Sequence, residues 1–233
     1  MSPFPGKALL QGNEMKKPDK AASTAAWLIV GAMLIHNMNA LWLEPTYLGF
    51  VDKARDYGDM SKILNAQFSF SFMTSGTAHI VCGFSVLILG LGLYNRFRGR
   101  HPVASQMLML AALLSGLGFL LTGISDIPGA VYAKILREQN PDYAATIMLI
   151  NTLIRSVVNV LAIVGLSWMA GQLAWLTRQT REFPGWFVWF GWLMVLPGIV
   201  SFPFPPAGFI YLQLTIVWAA ALGVYMRRSA SHL

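Results

Sequence analysis

Five ionisable side chains lie inside otherwise apolar stretches of this sequence: His36, Glu44, His79, Asp126 and Arg155. Each is costly in hydrocarbon unless it is paired or hydrated, so each needs a partner or a task. Their types suggest three kinds of chemistry. A carboxyl group can work as a general acid or base. Two histidines on neighbouring helices can ligate a haem iron axially or contribute to a copper site. A buried arginine can neutralise a carboxylate or anchor an anionic ligand.

Spacing makes these readings specific. Asp126 stands sixteen residues before Asp142 and Arg155 thirteen after it. A helical hairpin turning near Asp142 therefore brings the two to one depth, and an Asp126–Arg155 ion pair is expected. Glu44 lies between Trp42 and Pro45, with Tyr47 beyond, and the aromatics resemble an interfacial belt. It is expected either to be an interfacial anchor or to be the working acid or base at the mouth of a cavity open to the outer leaflet. The candidate catalytic set is Glu44, Asp126 and Arg155. His36 and His79 are the candidate metal or haem ligands, with haem b as the cofactor they would hold. No CxxCH is present, so covalent c-type haem is excluded.

Neutral polar residues gather on the same helical faces at 100° per residue. Gln67, Ser71, Ser75, His79 and Cys82 form one stripe, beside a seven-residue stripe of Gly76, Gly83 and Gly90 that suits close helix contact. Ser115, Thr122 and Asp126 align, as do Asn151, Thr152, Arg155 and Asn159; His36, Asn37, Asn39 and Glu44 cover a broader face. The first four helices are thus expected to surround a polar cavity. Asn39, Ser75, Asn151 and Asn159 are its candidate substrate-binding groups.

The elements that must position these residues follow from composition. The chain has 233 residues, 55% hydrophobic and 12% charged, and its mean hydropathy is +0.54. Soluble domains carry about 25% charged residues. A water-soluble enzyme, a secreted disulfide scaffold and a disordered tail are all excluded, and the single cysteine, Cys82, allows no internal disulfide. The fold class is all-α, a polytopic integral membrane protein. Six apolar stretches approach the roughly 20 residues that a bilayer core requires: 24–43, 68–94, 105–125, 144–176, 186–202 and 209–225. They suggest three tandem helical hairpins (about 24–95, 105–177 and 186–226), between a tail at 1–23 and a tail at 227–233. The leader, with Pro3 and Pro5, reads as a short tail, disordered or lying on the membrane surface, and the first span lacks the features of a cleaved signal peptide. Pro45 and Pro128 are expected to kink or end their helices, with amphipathic stretches at 47–62 and 131–143 outside the membrane.

Eleven basic residues fall on one side (Lys7, Lys16, Lys17, Lys20, Arg96, Arg98, Arg100, Arg178, Arg181, Arg227 and Arg228) against three acids. The other side has five basic and five acidic residues. Positive residues stay inside, so both termini are expected in the cytoplasm of a bacterial inner membrane. The charge of +7 reflects this asymmetry and contact with anionic membrane lipid, with no folded basic module for nucleic acid. No P-loop, GxGxxG, GxSxG or HExxH occurs.

Three functions remain. The first is an integral membrane enzyme working by acid–base chemistry, such as isomerisation or cyclisation, on a small apolar or amphipathic molecule. The second is a small transporter or channel using the same cavity. The third is an accessory or assembly subunit. The partners expected are a small-molecule ligand and, through the aromatic fifth and sixth helices, another copy or a larger membrane complex.

Overall fold

A computed structural model describes residues 6–43, 45–46, 49, 70–201, 203–204 and 206–231. Among these residues there is no strand. Six helices follow one another: α1 (Gly6–Met38), extended by a π-helical turn at Asn39–Leu43, α2 (Phe70–Phe97), α3 (Pro102–Gln139), α4 (Pro141–Thr180), α5 (Gly185–Val200) and α6 (Pro206–Ser231). Five are long and apolar enough to cross a membrane, all but α5. With 16 residues, α5 extends about 24 Å, short of a core about 30 Å thick.

Each helix packs on the next in sequence, and α6 returns to pack on α1. The result is a ring. Packing is most extensive between α2 and α3, from different expected hairpins, and least between α5 and α6. Small residues explain the α2–α3 contact. A Cβ on Gly83 would stand 2.8 Å from the Gly116 carbonyl oxygen, and one on Gly123 would stand 2.4 Å from that of Gly76. Only backbones without side chains approach so closely. The ring closes where the Ser23 hydroxyl donates to the Gly223 carbonyl (2.8 Å).

The buried core draws on all six helices, including Ile29, Leu89, Leu108, Leu166, Phe187 and Trp218. Large apolar side chains also cover the outside: Leu153, Val157, Trp189 and Leu196 are all more than 60% exposed. Apolar inside and apolar outside is the pattern of a bundle whose solvent is lipid.

Two expectations are corrected. The leader is helical from Gly6 and continuous with the first span, not a separate tail; Ala, Lys, Gln, Glu and Met, all good helix formers, dominate it. Pro128 does not end its helix, and α3 runs on to Gln139. A proline removes one backbone donor, and the helix-forming residues after it continue the helix against the first turns of α4. The 131–143 stretch is therefore the end of α3 and the turn into α4. That turn is tight because the Asn140 side chain caps α4 by accepting from the Tyr143 N–H (3.1 Å), with Pro141 at the first helical position. On α6, Tyr211, Trp218, Leu222 and Met226 are fully buried in the bundle, while Ile210 and Val217 are more than half exposed. On α5, Trp186, Trp189 and Trp192 are exposed.

The basic clusters share one end of the bundle. Arg96 donates to Glu182 Oε2 (2.5 Å) and Arg100 to Oε1 (3.1 Å), which ties the α2–α3 turn to the α4–α5 turn. Arg96 also reaches Met226 Sδ at 4.0 Å, near the C-terminal Arg227 and Arg228.

Candidate intramembrane polar site

The polar residues concentrate away from that basic end, where α1, α2, α3 and α4 meet. At their centre is the Asp126 carboxylate, with a side chain only 1% exposed. Arg155 Nε lies 2.7 Å from Oδ1 and His79 Nδ1 lies 3.2 Å from Oδ2. The pairing with Arg155 is the one expected from the depth count. It arises because the two-sided turn at Asn140 fixes the register of α3 against α4.

The contact with His79 was not anticipated. It depends on the glycine seam, since a Cβ on Gly76 would stand 2.9 Å from Asp126 Cβ. With α2 held this close, His79, one turn along from Gly76, reaches the second carboxylate oxygen. A carboxylate only accepts, so Nδ1 of His79 carries a hydrogen and donates it to Asp126. The Phe119 ring stacks on His79, with centroids 6.2 Å apart and planes 15° apart.

His36 extends the cluster onto α1. Its ring centroid is 4.8 Å from that of His79, with the planes tilted by 48°. Its Nδ1 shares a hydrogen bond with Ser75 Oγ (3.0 Å). Asn39, on the π-helical turn, donates to Thr74 Oγ1 (3.0 Å). A π-helical turn just before Pro45 shifts the positions of side chains relative to a regular helix, and such turns gather at functional sites. Ser125 donates to Asn151 Oδ1 (2.5 Å), and Asn151 Nδ2 donates back to the Ser125 carbonyl (3.4 Å).

Of the candidate residues, His36, Asn39, Ser75, His79, Asp126, Asn151 and Arg155 are thus drawn into polar contacts where the four helices meet. Asn159, one turn beyond Arg155, is half-buried and forms none of the hydrogen bonds above. Glu44 lies outside the described residues, as do Gln67 and the 47–62 stretch, apart from Gly49. Thr74 and Ser125 were missed. Both are short hydroxyl side chains beside residues that had been singled out, and adjacency on a helix gives no sign of which one a partner will reach.

The histidine pair does not fit axial ligation of haem. Metal–nitrogen bonds of about 2 Å on each side, plus the ring radii, require centroids roughly 6 Å apart with a porphyrin between them. At 4.8 Å the two imidazoles touch each other instead. Among the described residues, no three His, Cys, Asp or Glu side chains are placed to hold a metal ion.

Two features could admit a ligand. Asn37 is buried, yet neither its Nδ2 nor its Oδ1 has a hydrogen-bond partner. An amide buried in this way calls for water or a ligand. A groove of about 480 Å³ runs between α3 and α4 from Ser125 and Asn151 past Gly129 to Tyr132 and Tyr143. It starts one residue from Asp126 and one turn from Arg155.

No protein-family model, curated protein or solved structure matches the chain.

Proposed function

We propose that the protein is an integral membrane enzyme that moves a proton on a small apolar or amphipathic molecule. One observation carries this reading: a carboxylate 1% exposed within the bundle is shared between a histidine and an arginine. An arginine alone would suffice to neutralise Asp126. The added histidine is oriented through Nδ1, the arrangement that leaves Nε2 able to take up or release a proton. Arg155 supplies the counter-charge to the Asp126 carboxylate, and that carboxylate orients the His79 ring. The groove between α3 and α4 gives an amphipathic molecule a path from lipid to this point, with hydroxyl and amide groups along its wall. Glu44 enters this reading as a second acid or base at the outer boundary.

Enzymatic proton transfer at carbon leaves a trace even when the substrate is unknown. Purified protein in lipid nanodiscs, incubated in D₂O with a membrane lipid extract, should add deuterium to one extract component, seen by mass spectrometry. His79→Gln and Asp126→Asn should each reduce that labelling by about a hundredfold or more, the range that general acid–base groups contribute. Labelling that persists in both variants would remove the pair from the chemistry.

A second reading has its own support. His36, His79, Asp126 and Arg155 form a row of charged or titratable groups from α1 to α4, and such rows conduct protons in transporters. Proton flux into dye-loaded proteoliposomes without deuterium labelling would favour proton-linked transport.

For topology, we take α5 to complete a sixth crossing, with the basic end and both termini in the cytoplasm of a bacterial inner membrane. A cysteine at Gln139, in the exposed α3–α4 turn, should react with an impermeant thiol reagent added to intact cells. One at Gly99, where a new side chain meets nothing within 4 Å, should react only after lysis. The reverse pattern would invert the orientation.

A further inference from the structure

A second ligand site lies at the basic end, independent of the acid–base cluster. A groove of about 510 Å³ separates the end of α4 from the start of α5. Thr177, Arg178 and Arg181 line one part of it, and Val188, Trp189 and Trp192 another. We infer that this groove binds one anionic phospholipid, with the headgroup phosphate on the two arginines and the chains along α5.

Three observations support this. Thr177 is 1% exposed, and its Oγ1 has no hydrogen-bond partner although it borders the groove. A buried hydroxyl in that position calls for a polar atom from outside the protein. Arg181 is the only non-glycine residue with positive φ among the described residues (φ 57°), and it caps α4 through its N–H to the Thr177 carbonyl (2.7 Å). Glycine ordinarily takes that position; an arginine kept there against backbone strain puts a guanidinium beside the groove. The first turn of α5 has no side-chain cap, and its first residue, Gly185, also borders the groove.

Charge and shape then select the ligand. The nearby acid, Glu182, is already bound by Arg96 and Arg100, which leaves the groove net positive. Trp189 is 75% exposed at this end of the bundle, where indoles lie at the level of lipid headgroups. A free phosphate would use the arginines and threonine but leave the apolar half of the groove empty. A phosphodiester carrying acyl chains fills both, as basic pockets between membrane helices do for anionic lipids.

The test is native mass spectrometry of the full-length protein in detergent, titrated with phosphatidylglycerol or phosphatidylcholine of equal chain length. Phosphatidylglycerol should bind at least about tenfold more tightly, and Arg178→Gln and Arg181→Asn should each weaken it about fivefold, the factor one basic residue contributes at an anionic surface. Asn tolerates the left-handed backbone at position 181, so the cap is retained. Thr177→Val should weaken phosphatidylglycerol binding without changing phosphatidylcholine binding. Brominated phosphatidylglycerol should quench wild-type tryptophan emission more than it quenches Trp189→Phe/Trp192→Phe. Equal affinity for the two lipids would overturn the assignment, and this comparison needs no variant to fold. So would an undiminished preference in the double arginine variant. Displacement of the lipid by millimolar inorganic phosphate would reassign the groove to a free anion.

Discussion

Replacing Asp126 by alanine is expected to destabilise the protein by about 3–5 kcal/mol, the cost of removing one partner from a buried ion pair. The loss is large because Asp126 balances two groups at once, Arg155 at 2.7 Å and His79 at 3.2 Å, inside a bundle with little water to replace it. Thermal unfolding in detergent should show this as a lower midpoint, and deuterium labelling of the lipid extract should disappear. Asn at the same position keeps the shape and one acceptor oxygen, so its effect on stability should be smaller while its effect on labelling remains. A double-mutant cycle separates partnership from coincidence. Asp126→Asn combined with Arg155→Gln should lose less than the sum of the two single changes. Simple additivity would mean that the two groups do not interact and that the cluster is not held by charge.

The second large effect is steric. Gly123→Val should destabilise by more than the 1–3 kcal/mol of ordinary overpacking, because its Cβ would stand 2.4 Å from the backbone oxygen of Gly76 and 2.9 Å from the Ile80 nitrogen. These are backbone atoms of a packed helix, and they cannot swing aside as a side-chain tip would. The strain must separate α2 from α3, and that separation also withdraws His79 from Asp126. Labelling should therefore fall along with stability, although Gly123 bears no chemistry. Gly31→Ala is the matched control. It lies in a helix with nothing within 4 Å of the added carbon, and alanine should hold or raise stability by up to about 1 kcal/mol. If both changes proved equally mild, the close α2–α3 seam would be wrong.

That seam shows where the sequence stops being sufficient. The Gly76, Gly83 and Gly90 stripe announces a close contact, but only its register against Gly116 and Gly123 puts His79 within reach of Asp126. The pairing of His36 with His79 at matching depth suggested a shared metal; packing brought the rings to 4.8 Å, in contact with each other, and turned their Nδ1 atoms toward Ser75 and Asp126. Depth could be counted along each helix. Rotation and approach between helices could not.

What the sequence by itself determined is the helical, lipid-embedded character of the chain, the gathering of basic residues and the Asp126–Arg155 partnership. These rest on local quantities: apolar run length, charge between runs, and 1.5 Å of rise counted back from a turn of fixed position. The tertiary structure alone decided that α6 closes the ring on α1, that α3 continues well past its apolar segment, and that one carboxylate is shared by an arginine and a histidine. The reason is physical. Ring closure depends on contacts such as Ser23 to Gly223, 200 residues apart, and between membrane helices such contacts are chosen by the fit of small residues and hydrogen-bonding groups, not by a hydrophobic pattern that every lipid-facing side chain satisfies equally well.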